Sequence, residues 1–123
     1  MTKSITLFGI PNCDTVKKAR VWLQEQEVAF EFHDFKKQGL NRATVETWLQ
    51  HQGLDVLINR KGTTWRALSD EEKASAENQE QAIALMLEKP SVIKRPVLLQ
   101  TNNGNTQVNV GFSSAQYQSI FNK

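Results

Sequence analysis

The sequence predicts an α/β fold built on a mixed four-stranded sheet, and three observations carry that expectation. Apolar runs of strand length stand near both ends of the chain. Helical periodicity follows the first of them and recurs through the middle. An Asn-Gly pair, Asn103-Gly104, separates two strand-like runs near the C-terminus, and Asn-Gly favours the turn conformations that a hairpin needs.

The elements follow in order. Ser4 to Phe8 reads as a first strand. Asp14 to Gln26 reads as a helix, because Val16, Ala19 and Leu23 recur on one stripe. Phe30 to Asp34 alternates apolar and polar residues and reads as a second strand. Arg42 to Gln52 reads as a helix capped by Asn41 and stopped near Gly53. Leu54 to Leu68 has no clear period and is expected to be mostly loop. Ser69-Asp70-Glu71-Glu72 is a capping-box pattern opening a short helix. Asn78 is expected to cap a helix running to Lys89 and halted by Pro90. Pro96 to Gln100 and Thr106 to Val110 pair as the hairpin. Ser113 to Gln116 is a second capping-box pattern, opening a helix to about Phe121. With the middle helices set aside, the order is β-α-β then β-β-α, a thioredoxin-like plan. The expectation is one domain over residues 1–123, with a helical insertion at about 41–89.

Composition narrows the function classes. A chain of 123 residues can bury a real core without staples. The formal charge of +2 is too small and too dispersed to argue for nucleic-acid binding. One cysteine and two distant histidines, His33 and His51, offer no metal-ligand cluster, so no metal is expected. Neither histidine is placed to act as a base. The lone cysteine precludes an internal disulfide and fits a reducing cytoplasm. The N-terminal run is too short for a signal segment, and no stretch approaches a membrane span. A cytoplasmic monomer without a membrane or nucleic-acid partner is expected.

The cysteine carries the chemistry. Cys13 lies in Gly9-Ile10-Pro11-Asn12-Cys13-Asp14-Thr15, between the first strand and the first helix. The first turn of a helix has unpaired backbone N–H groups and a partial positive charge, and both favour the nucleophilic thiolate. The alternative is a buried free cysteine acting as a small hydrophobe. Lys17, four residues on, can share a face with the thiolate or be an ordinary solvated lysine. Asp14 works against ionisation. Thr15 can donate its hydroxyl to sulfur or cap the helix. Further along, Lys94-Arg95-Pro96 is either an edge-strand start or a cis-proline turn beside Cys13. Asn59-Arg60-Lys61-Gly62-Thr63-Thr64-Trp65-Arg66 is a basic loop suited to carboxylates or oxyanions, or a solvated loop anchored by Trp65.

Three segments, Gly9 to Arg20, Arg60 to Arg66 and Ile93 to Val97, together resemble the ArsC/Spx family of arsenate reductase-like proteins, and within it the YffB-type glutathione-dependent thiol reductases. The resemblance runs over nearly the whole chain. It implies a thioredoxin-like (glutaredoxin-like) fold with a helical insertion. It implies Cys13 as nucleophile, Arg95 before a cis Pro96, and a basic residue at Arg60 or Lys61. Catalysis is then expected of Cys13, Arg95 and Arg60. Glutathione, the co-substrate, is expected to meet Asn12, Asp14, Thr15, Lys17, Lys61, Arg95 and Pro96. Glutaredoxin is a further partner the family suggests. Two departures stand out. Val110-Gly111-Phe112-Ser113 lacks the arginine that arsenate reductases carry after the hairpin, which argues against efficient arsenate reduction. Val16 stands where redox-switch regulators carry a second cysteine. The alternative is a non-enzymatic, Spx-like regulator that binds RNA polymerase or another protein.

Overall fold

The computed structural model describes residues 3–123, and its secondary structure begins with the strand β1 at Lys3–Gly9. Then come α1 (Asp14–Glu25), β2 (Glu31–Asp34), α2 (Arg42–Leu49), α3 (Leu54–Leu57), α4 (Thr63–Arg66), α5 (Asp70–Ser75) and α6 (Gln79–Glu88). A 3-10 turn at Pro90–Val92 leads to β3 (Val97–Asn102), β4 (Asn105–Val110) and α7 (Ser114–Phe121). The described residues divide into two compact units: the N-terminal part through Phe35 together with Arg95–Lys123, and Lys36–Lys94.

The first unit holds the sheet, in the order β2-β1-β3-β4. β1 pairs with β2 in parallel and with β3 antiparallel, and β3 pairs antiparallel with β4. The parallel pair is joined through α1, the crossover that parallel strands require. The mixed thioredoxin-like sheet expected from the element order is therefore present. The hairpin closes as Asn-Gly predicts: Asn102 pairs with Asn105, leaving a two-residue loop with φ of 52° at Asn103 and 86° at Gly104. Positive φ at both central residues is the type I′ turn, whose twist matches that of the strands.

The core of this unit forms where α1 and α7 lay apolar faces on the sheet. Ile5, Leu7 and Leu98 come from the strands, Ala19, Trp22 and Leu23 from α1, and Tyr117 from α7. Trp22 was not on the expected stripe, yet it is nearly buried and meets the Tyr117 ring edge-on at 5.6 Å. Phe112 packs on the same ring edge-on at 4.7 Å, the geometry that aromatic quadrupoles favour.

The second unit is helical, apart from one antiparallel bridge between Ile58 and Ile93. Its buried side chains include Val45, Trp48, Leu57, Ile83, Met86 and Ile93. Asn41 caps α2 by accepting from the Thr44 N–H, and Asn78 caps α6 by accepting from the Gln81 N–H. The Ser69 capping box is complete: its hydroxyl accepts from the Glu72 N–H, and the Glu72 carboxylate accepts from the Ser69 N–H. Arg42 of α2 pairs with Glu80 of α6, an exposed tie between the two helices.

Three expectations need correction. Leu54 to Leu68 is not mostly loop but carries α3 and α4, each one turn long and started at a glycine, Gly53 or Gly62. One turn of helix is too short to show a period, and only tertiary packing makes it stable. Gly53 therefore starts α3 and does not end α2, which stops at Leu49. The Ser113 pattern is half a box: the hydroxyl accepts from the Gln116 N–H, but the Gln116 side-chain amide donates to the Val110 carbonyl.

Candidate functional site around Cys13

β1 runs out at Gly9, and the next residues turn the chain into α1. The Cys13 N–H donates to the Ile10 carbonyl at 3.4 Å, closing the turn. Cys13 is the N-cap of α1, in extended conformation with φ −99° and ψ 123°. Its carbonyl accepts the first intrahelical bond, from the Lys17 N–H at 2.9 Å. Its side chain makes no capping hydrogen bond. The thiol is half-buried, so it is neither an enclosed core group nor fully in solvent. Sγ thus stands at the positive end of a helix of 12 residues without being used to hold that helix.

Gly9 explains how the turn fits. A Cβ built on it would lie 2.8 Å from Cγ2 and 3.1 Å from Cγ1 of Val16. The absent side chain lets the first turn of α1 close on the strand end. Val16 is fully buried, so the position where a redox-switch regulator would carry its second cysteine is here a packing position.

The same end of the sheet receives β3. The β1–β3 ladder ends at Phe8 opposite Val97, so Gly9 and Pro96 are the next residues on the two strands. The Arg95–Pro96 peptide is cis, as the resemblance implied. Pro96 is buried, and its carbonyl accepts from the Gly111 N–H at 2.8 Å. Arg95, immediately before it, is half-buried. On the other side Gly9 pairs with Asp34, and the Phe35 N–H donates to the Gly9 carbonyl at 3.1 Å. His33 tilts its ring over Phe8 at 5.0 Å, a packing contact.

The structure therefore brings together, at one sheet end, the Cys13 turn and the Arg95–Pro96 turn. Asn12 and Asp14 flank Cys13 and are exposed, Thr15 is half-buried, and Lys17 is exposed one turn on. Asp14, the first helical residue, sits where a carboxylate favours the helix. Arg60 and Lys61 belong to the second unit, both exposed, and the Arg60 guanidinium lies 5.3 Å from the centre of the Trp65 ring. The Lys61 N–H donates to the Asn59 side chain at 3.2 Å, which shapes that turn. Among the described residues there is no group of three or more His, Cys, Asp or Glu side chains able to hold a metal. Among the described residues no helix is long and apolar enough to cross a membrane. One feature escaped the sequence reading: Val21 of α1 is half exposed, and its signal was an apolar residue lying off the helix stripe.

Comparison with known proteins gives the family. The ArsC family model matches residues 8–120. The chain belongs to the ArsC family. An uncharacterized relative from Haemophilus influenzae is 38% identical over 117 residues, covering 95% of this chain and 98% of the relative. The global transcriptional regulator Spx of Streptococcus agalactiae is 29% identical over 119 residues, 94% of this chain and 82% of the regulator. Among solved structures, the YFFB protein is 44% identical, with a TM-score of 0.83 over 94% of this chain and 97% of the other. An arsenate reductase (ArsC) related protein from Brucella melitensis is 41% identical, with a TM-score of 0.72 over 98% of this chain and 96% of the other. The arsenate reductase of Vibrio cholerae, 14% identical with a TM-score of 0.70 over 99% of this chain and 98% of the other, shares the fold.

Proposed function

We propose that this ArsC-family protein is a glutathione-dependent thiol/disulfide reductase with Cys13 as its nucleophile. The observation that carries the reading is the half-buried Cys13 thiol at the N-cap of α1, unused in capping, at the sheet end that also holds the cis Arg95–Pro96 bond. Membership of a family that includes arsenate reductase-related proteins supports thiol-reductase chemistry in general.

The reaction balances without a metal. The Cys13 thiolate attacks the glutathionyl sulfur of a mixed disulfide. A Cys13–glutathione disulfide forms, the old S–S bond breaks, and the substrate leaves as a thiolate that takes up a proton. Cys13 is the only cysteine, so an external thiol must resolve the adduct. A second glutathione thiolate attacks the glutathione-side sulfur, releasing oxidised glutathione and restoring the Cys13 thiolate. In sum the mixed disulfide and one reduced glutathione become the free substrate thiol and oxidised glutathione, so the substrate sulfur is reduced as the incoming glutathione is oxidised. A glutaredoxin could take the second role in place of free glutathione. Arg95 offers a planar fork to a glutathione carboxylate. Asn12, Asp14, Thr15, Lys17 and Pro96 line the approach. A cytoplasm, where glutathione is kept reduced, is the compartment the reading requires. Attack on an oxyanion such as arsenate is the less favoured use, because residues 110–113 supply no arginine.

The test is glutathione-dependent reduction of the mixed disulfide of glutathione and 2-mercaptoethanol. Cys13→Ser is expected to abolish turnover, and an active Cys13→Ser enzyme would end the proposal. Arg95→Lys, which keeps charge and loses the fork, is expected to raise KM for glutathione about ten-fold. Arg60→Ala and Lys61→Ala, compared for the same KM, test whether the basic turn contributes and which residue does so.

The Spx likeness motivates a second reading, a regulator that binds RNA polymerase. Val16 in place of a second cysteine removes the disulfide switch at that site. Capture of RNA polymerase by the immobilised protein, undiminished by Cys13→Ser, is the result that would favour this reading.

A further inference from the structure

The outer face of α1 leads from the cysteine to a shallow groove of about 320 Å³, lined by Lys17, Lys18, Val21, Trp22, Glu25 and, just before and at the start of α7, Phe112 and Ser114. Its floor is apolar. Val21 is 50% exposed there, one of the two large apolar side chains left open among the described residues. Its rim is charged with a direction. Lys17 and Lys18 stand at the end nearer Cys13, and Glu25 stands at the far end.

We propose that this groove docks the polypeptide part of a glutathionylated protein substrate: a segment with an acidic residue close to its modified cysteine and an apolar side chain beyond it. The proposal rests on the thiol-reductase reading above and adds the class of substrate. Lys17 is one helical turn from Cys13 and Val21 one turn further, so the three step along one side of the helix. Eight residues at about 1.5 Å each place Val21 about 12 Å along the axis from Cys13. An extended chain covers about 3.3 Å per residue, so about four residues of substrate reach from the reacting sulfur to the apolar floor. The lysines meet the middle of that segment and match a carboxylate. The Glu25 end rejects one. The floor has room for one or two side chains, and burying one there removes apolar surface from water on both sides.

The probes are two glutathionylated peptides. One carries an aspartate midway and a leucine about four residues from its cysteine; the other carries lysine and serine at those places. The small mixed disulfide of 2-mercaptoethanol serves as control. The wild-type protein is expected to prefer the first peptide by about ten-fold in kcat/KM. Val21→Asp and Lys18→Glu are each expected to erase that preference while turnover of the control is kept. Val21→Ser repeats the test should Val21→Asp fail to fold. Equal use of both peptides by the wild type, or an unchanged preference in the folded variants, overturns the docking proposal and leaves the reductase reading standing. Failure to turn over the control ends the reductase reading and this proposal with it. A wild-type dimer in sedimentation that Val21→Asp converts to monomer assigns the groove to a second copy of the chain and likewise overturns it.

Discussion

At Gly9 a missing side chain decides how Cys13 is presented. The Val16 methyl groups occupy the space a Cβ would need, at 2.8 and 3.1 Å. Valine is stiff about χ1, so it cannot swing aside cheaply. Gly9→Ala is expected to cost about 1–3 kcal/mol in denaturant unfolding, as overpacking does, and to slow reaction at Cys13 by displacing the first turn of α1. Tyr117 shows the opposite imbalance. Its hydroxyl is buried with no hydrogen-bond partner among the described residues. Tyr117→Phe, which removes the orphan and keeps the ring, is expected to leave stability within about 1 kcal/mol of wild type or to raise it. Burial also pushes the Tyr117 hydroxyl well above its ordinary 10.0. The unfolded chain releases this proton near that ordinary value while the native state retains it, so stability must fall as pH rises beyond it. Below that value both states hold the proton and the residue adds no pH dependence. Between about pH 10 and about pH 12, wild-type unfolding free energy should drop more steeply than that of Tyr117→Phe. Equal slopes would place the hydroxyl in contact with water.

At the scale of elements, legibility followed local chemistry. The hairpin was legible because Asn103-Gly104 specifies a turn by backbone preference alone, and both residues take positive φ. The cap at Ser69 was legible because Ser and Glu three apart satisfy one another's neighbours. Ser69→Ala is expected to cost about 1 kcal/mol by chemical denaturation, and a cost near zero would mean α5 is held by packing alone. The Ser113 pattern looked identical, yet the Gln116 amide found the Val110 carbonyl across the turn. A pattern states what a side chain can reach, and the fold decides which partner is nearer. α3 and α4 were illegible for a related reason. Four residues show no period, and what holds them there is non-local: the Asn59 N–H donates to the Val92 carbonyl at 2.8 Å, and the Lys94 N–H to the Leu57 carbonyl at 2.7 Å.

For the molecule as a whole, the parallel crossover pair and the hairpin of a mixed sheet followed from element order and crossover chemistry, whereas the order β2-β1-β3-β4 came only with the structure. The cysteine turn was legible because strand, Gly, Pro, Cys and helix follow one another in sequence. The cis state of Arg95–Pro96 was not legible from residue type, since few such bonds are cis, and it entered only through family resemblance. The Val21 groove was equally out of reach, because it needs Phe112 and Ser114 from a distant part of the chain. The central claim, that Cys13 is a nucleophile in glutathione chemistry, is tested most directly by intact mass. The native protein is incubated with oxidised glutathione and then with reduced glutathione. One glutathione is expected to add per chain, to be absent in Cys13→Ser, and to be removed promptly by the reduced form. A native protein that stays unmodified, and gains the adduct only once unfolded, would contradict the claim.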